Sequence, residues 1–126
     1  MDLAIMHKNL WAWLAEEPSR AKCDWPGFME VDSIRNECPA CEYAFKKGIP
    51  GKECPFCPLR RSARDTLGTD YDDDACLGGL YTRYGTAVSV YRRLKCTHAH
   101  EPDMVETARL EAIRLTETIR DLKWSD

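Results

Sequence analysis

Two short motifs hold the residues with the clearest capacity for chemistry: Cys38-Pro-Ala-Cys41 and Cys54-Pro-Phe-Cys57, with twelve residues between the pairs. A CxxC turn lets two sulfurs converge on one ion, because the turn exposes backbone amides that can hydrogen-bond to thiolate. Two such turns supply four thiolates, which close a tetrahedral shell, so a zinc held there is structural rather than catalytic. The spacing therefore predicts a zinc site at Cys38, Cys41, Cys54 and Cys57. A redox dithiol needs only one CxxC, and no βαβ pattern surrounds either pair. Cys76, nineteen residues beyond Cys57, leaves a question open. It could displace one of the four ligands, and five cysteines could also hold an iron–sulfur cluster. Zinc ranks first, since nothing here suggests electron transfer. Cys23 and Cys96 read as buried packing residues.

Other candidates are weaker. His98, His100 and Asp103 could form a second metal site only in an extended segment, because i,i+2 spacing on a helix turns the rings to different sides. A polar loop is the plainer reading. Asp70, Asp72 and Asp74 match early EF-hand ligand spacing, but Ala75 stands where glycine is required and Tyr81 where the bidentate glutamate belongs. That cluster, with Asp73, reads as a solvated acidic surface. No histidine lies between Cys38 and Cys57, which argues against a zinc-supported HNH nuclease. There is no glycine-rich phosphate loop and no nucleophile elbow, so the expectation is a protein that is not an enzyme.

Length and charge frame these sites. The chain has 126 residues, about the size of one ordinary domain, and 1–126 is expected to form a single zinc-binding domain. With 18 basic and 21 acidic side chains it carries a formal charge of −3. A zinc bound by four thiolates adds two negative charges and brings the total to about −5. An acidic chain is a poor general nucleic-acid coat. No apolar run approaches the roughly 20 residues of a membrane span. The start of the chain (MDLAIMHKNLWAW) lacks a basic opening and a small-residue cleavage site, so the cytoplasm of the host cell is the expected location. Seven cysteines without an export signal point to thiols in a reducing compartment rather than disulfides.

The elements that must position the cysteines are mostly helical. Leu3, Met6, Leu10, Trp13 and Leu14 recur at three- and four-residue steps and predict an amphipathic helix over about 3–16, capped by Asp2 and stopped by Pro18. Residues 18–28 form a turn-rich connector, with Trp25 extended before Pro26. The cysteine knuckle occupies about 35–64 and is rich in basic side chains. Residues 77–95 keep a helical step through Leu77, Tyr81, Tyr84, Val88 and Tyr91, yet 86–91 also alternates like a strand, and three glycines weaken the helix. The C-terminal segment predicts a helix over about 102–124, with Val105, Ala108, Ala112, Leu115, Ile119 and Leu122 on one stripe and three Glu–Arg i,i+3 pairs on the other side. The stripe is expected to pack on the N-terminal helix at Leu10, Trp13 and Leu14, giving a monomer. Its regular 3-4 seam could instead pair two chains as a short coiled coil. The fold class is thus mostly α, with a small α+β fold as the alternative, packed around a zinc-knuckle or zinc-ribbon-like segment.

Several of these features together resemble a known family. The stretch His7-Lys-Asn-Leu-Trp-Ala-Trp-Leu-Ala15, then Lys22 with Asp24-Trp-Pro26, the two pairs continuing as Cys41-Glu-Tyr-Ala44 and Cys57-Pro-Leu59, Cys76, and Ile119-Arg-Asp-Leu-Lys-Trp124 are similar to small cysteine-rich proteins of phages and prophages of Gram-positive bacteria. The likeness covers most of the chain, and its specific part is the cysteine framework with the LWxWLA opening. Arg61 departs from the pattern, which often has an aromatic there. The family is largely uncharacterised, so the resemblance implies a mobile-element origin and zinc binding more than an activity. Small acidic phage proteins without catalytic groups commonly bind a host protein, and anti-CRISPR inhibitors of nucleases belong to that type. The expected function is therefore a zinc-stabilised binding protein that inhibits a host nucleic-acid-processing effector such as a CRISPR nuclease. Asp70, Asp72, Asp73 and Asp74 are the expected contact surface for the basic channel of such a partner. The alternative is a zinc-ribbon-like nucleic-acid-binding or regulatory module. It would use Arg83, Arg92, Arg93 and Lys95 interleaved with Tyr81, Tyr84 and Tyr91.

Overall fold

In the computed structural model the described residues are 2–30, 38–47 and 57–125. Among them the chain is helical and contains no strand. The first helix, α1 (Leu3–Glu16), begins where Asp2 accepts hydrogen bonds from the Ala4 and Ile5 amides at 2.9 and 3.3 Å. That cap satisfies two of the four amide groups a helix start leaves without internal partners. The helix stops because Pro18 forces Glu17 into an extended conformation (φ −148°, ψ 97°). Two 3₁₀ turns, Lys22–Asp24 and Pro26–Glu30, follow, and Trp25 between them is extended.

Helix α2 (Pro39–Lys47) starts directly after Cys38, and α3 (Arg60–Leu67) follows Cys57 and a turn. The ribbon-like form of the cysteine segment does not appear among the described residues, because Pro39–Lys47 is helix. Pro39 favours that outcome: its fixed φ suits the first helical position, where no amide donor is needed. Helix α4 (Leu80–Thr97) resolves the ambiguous stretch. Residues 86–91 are helical, so the strand alternative fails there. The helical step of Leu80, Tyr84, Val88 and Tyr91 places all four on a buried stripe, and burying that stripe outweighs the propensity cost of Gly85. A four-residue connection then leads to α5 (Pro102–Arg120), which opens on a proline. This helix ends at Arg120, four residues short of the expected boundary, and Leu122 continues the buried stripe just past it.

The core sits between α1, α4 and α5. Leu10, Trp11 and Leu14 meet Ala112, Leu115 and Ile119 from α5 and Tyr84 and Val88 from α4. The expected packing of the C-terminal stripe on α1 is present, but α4 shares that stripe. The aromatic partner also differs. Trp11 is buried, with its ring 4.9 Å from that of Tyr84, whereas Trp13 is half-buried beneath the Arg20 guanidinium. Met6, His7, Leu10, Trp11 and Leu14 form a wider stripe than the one read from apolar letters alone. On the outside of α5, Glu106–Arg109 and Glu111–Arg114 pair at 2.6 Å and Glu117–Arg120 at 3.6 Å, as the spacing predicts.

Two ties close the bundle. Arg92 of α4 donates to the Ser19 and Arg20 carbonyls, and the Tyr91 hydroxyl donates to Glu17 Oε1 at 3.0 Å. Burial pushes the Glu17 carboxyl up, but hydrogen bonds from Ser19 and Tyr91 outweigh it and hold it below the ordinary range. At the other end the C-terminal segment folds over α3. The Lys123 amide donates to Ser62 Oγ, the Ser125 amide donates to the Pro58 carbonyl, and Trp124 packs edge-on to Tyr43. The last residues therefore brace both α2 and the start of α3.

Candidate metal centre

Cys38 lies at the mouth of α2 and Cys41 in its first turn. The Cys41 thiol donates to the Cys38 sulfur, and the backbone amides of Ala40 and Cys41 reach the same atom. These hydrogen bonds, Cys41's foremost, hold Cys38 below the ordinary thiol range against the effect of its burial, with help from the Lys22 ammonium. Cys41 moves the opposite way: its proton is held by Cys38, it is desolvated, and negative charge on Cys38, Cys76 and Cys57 would repel its own. The amide donors that a CxxC turn offers to a thiolate are in place.

Cys38, Cys41, Cys57 and Cys76 all line one small cavity of about 10 Å³. That is room for about one water or small ion. Its other walls are apolar or aromatic, from Trp11, Leu59, Leu77, Tyr81 and Ile119, with His7 added. His7 is 1% exposed and lies 2.9 Å from the Ile119 carbonyl through Nε2. A carbonyl can only accept, so Nε2 carries the proton and Nδ1 is left with a lone pair. Among the described residues Nδ1 has no hydrogen-bond partner, and neither has the indole Nε1 of Trp11. Burial lowers the affinity of His7 for a second proton.

Of the four residues expected to bind zinc, the structure brings Cys38, Cys41 and Cys57 to this cavity; Cys54 lies outside the described residues. Cys76 joins them. Among the described residues no three His, Cys, Asp or Glu side chains already stand as a ligand set. The donor chemistry suits zinc all the same: several thiols, amide donors for thiolate and an enclosed apolar surround. Cys23 and Cys96 are exposed, contrary to their expected place in the core. Cys96 falls near the end of α4 off its buried stripe, and Cys23 sits in a surface 3₁₀ turn. His98 and His100 stack at 6.1 Å in the α4–α5 connection.

The acidic cluster is placed beside the cysteines. Asp70, Asp72, Asp73 and Asp74 are all exposed. Asp72 Oδ1 accepts from the Asp74 amide at 2.9 Å, and Asp73 stands 3.7 and 3.6 Å from the guanidinium groups of Arg60 and Arg64 on α3. The loop is closed by backbone hydrogen bonds from Asp72 to Gly78, Ala75 to Asp72 and Gly78 to Ala75. Part of its charge is thus neutralised locally. The basic–aromatic set on α4 is split: Arg83, Arg93 and Lys95 are exposed, and the rest is engaged in the fold. Tyr84 and Tyr91 are buried, the Tyr81 ring lies under Lys22 Nζ, and Arg92 is engaged with two carbonyls.

Nothing signalled the burial of His7 except its i,i+4 relation to Trp11, since both side chains carry polar nitrogen atoms. Comparison of the chain with protein-family models, curated proteins and solved structures found no match. No helix among the described residues is long and apolar enough to cross a membrane.

Proposed function

We propose that the chain is a zinc-stabilised, non-enzymatic binding protein that acts on a nucleic-acid-processing effector of its host, in the manner of an anti-CRISPR inhibitor. The observation that carries the first half is that four cysteines line one cavity with almost no free volume. A metal whose shell is closed by four thiolates has no position open to a substrate, so its work would be to hold the fold. What supports the target class is the resemblance to phage proteins together with the exposed carboxylates of Asp70, Asp72 and Asp74. Exposed charges of that sign steer encounter with a basic channel.

The test is inhibition in vitro. Zinc-loaded protein is titrated into host nucleases purified with their guide or substrate, and nucleic-acid loading is followed by gel shift. Binding should lower loading. Replacement of Asp70, Asp72 and Asp74 by Asn should slow association, and the difference should shrink as salt rises. Failure to bind or inhibit any such effector overturns the reading. Direct retention of nucleic acid, falling steeply with salt, would favour the regulatory-module alternative instead.

A further inference from the structure

We propose that Cys76, which belongs to neither CxxC pair, is a ligand of the metal centre and adds its thiolate to those of Cys38, Cys41 and Cys57. This rests on the zinc reading above and extends it to a residue from a different part of the chain. Three independent features place it there.

The first is position: Cys76 lines the same cavity as Cys38, Cys41 and Cys57. The second is the turn that presents it. Cys76 opens the 3₁₀ turn Cys76–Gly79, whose next three residues all have positive φ: Leu77 at 51°, Gly78 at 67° and Gly79 at 104°. Leucine adopts that conformation only at a cost. The turn persists because Leu77 is buried, because the Tyr71 ring closes over Gly78, and because the 72–78 loop is tied through its own backbone. Strain of this sort collects where a fold must aim a functional group. The acidic loop thereby acquires a local task, which is to carry the chain from α3 back to the cavity.

The third feature is a pair of buried nitrogens on two residues that line the cavity, His7 Nδ1 and Trp11 Nε1, neither of which has a hydrogen-bond partner among the described residues. A buried N–H without an acceptor and a buried lone pair without a donor are each costly. An anionic metal–thiolate centre offers the indole an acceptor, and a cation offers the imidazole a counterpart.

The exposure of Cys76 makes the proposal measurable in the unaltered protein. Metal coordination slows alkylation of an exposed thiol, whereas Cys38 and Cys41 are already half-buried by the fold. Full-length zinc-loaded protein and the same protein treated with chelator are pulsed with iodoacetamide, and each cysteine is quantified by peptide mass spectrometry. Cys23 and Cys96, both exposed, serve as internal standards. Cys76 should react at least about tenfold more slowly in the zinc-loaded form, relative to Cys23, and lose that protection on chelation. Cobalt(II) substitution supplies a second readout: Cys76→Ser should remove about a quarter of the sulfur-to-cobalt charge-transfer intensity of a four-thiolate site.

Alkylation of Cys76 as fast as Cys23 while zinc remains bound, with an unchanged cobalt spectrum in Cys76→Ser, overturns the assignment and leaves the metal reading standing. Wild-type protein that binds neither zinc nor cobalt overturns both.

Discussion

At the scale of single residues, the thiol pair and one buried imidazole carry the sharpest expectations. With zinc bound as proposed, Cys41→Ser should release the metal, as read by elemental analysis, and should unfold much of the region around α2, because site formation and folding are coupled. His7 supplies a pH signature. Burial lowers its pKa from the ordinary 6.5, with the Ile119 hydrogen bond opposing and Lys8 assisting. Below pH 6.5 the unfolded chain therefore takes up a proton that the folded one resists. Stability is complete above that value and falls as pH drops through it, by at most about 1.4 kcal/mol per pH unit from this group. Urea unfolding at pH 7.5 and 5.5 should show a smaller acid loss for His7→Gln than for wild type. Protonation of the cysteines affects both proteins and cancels in the difference. An equal loss in the two would show that His7 is not desolvated in the folded state.

Two glycines mark opposite outcomes at the scale of elements. Gly85 lies inside α4, and a Cβ added there meets nothing within 4 Å. Gly85→Ala should raise stability by about 0.5–1 kcal/mol, since alanine loses less backbone entropy on entering a helix. Gly78 is the reverse case. A Cβ there would stand 2.1 Å from the Tyr71 ring, and φ is +67°. Gly78→Ala should lower the melting temperature and loosen the turn that aims Cys76, which alkylation of that cysteine would report. Both glycines weaken a helix equally when read as letters. Their difference comes from the backbone around them: one continues a helix, and the other sits in a left-handed turn beneath an aromatic ring.

The assembly belongs to the scale of the whole molecule. Ala112, Leu115, Ile119 and Leu122 are buried against α1 and α4 of the same chain, so the seam that could have joined two chains is spent internally. Leu115→Ala should cost about 2–5 kcal/mol of unfolding free energy without changing the sedimentation coefficient of the folded protein. Leu115→Asp should unfold the chain. A dilution-sensitive dimer that Leu115→Asp splits into folded monomers would instead assign the stripe to an interface. The arginine–glutamate pairs along α5 contribute little to this balance, being exposed and screened by solvent.

What the sequence determined by itself is what depends on near neighbours. Asp2 as a cap, Pro18 as a stop, the 3-4 stripe of α5 and its Glu–Arg pairs are set by spacing of a few residues, and spacing of that range is visible in a string of letters. The sequence also separated the cysteines in tight pairs from Cys23 and Cys96, although not the exposure of those two. Tertiary structure decided the rest. Residues 86–91 alternate like a strand, but α1 and α5 offer a surface that only the helical stripe of Tyr84, Val88 and Tyr91 can cover. Trp11 rather than Trp13 enters the core because the wall it meets is made by α4, whose own form was undecided in sequence. Cys76 lines the same cavity as Cys38, Cys41 and Cys57, in a turn that packs on α3 and α4 and whose three positive-φ residues lie beneath the ring of Tyr71, none of which spacing in the sequence reveals. Local periodicity reports which face of an element is apolar; it does not report which other element, far along the chain, will come to lie against that face.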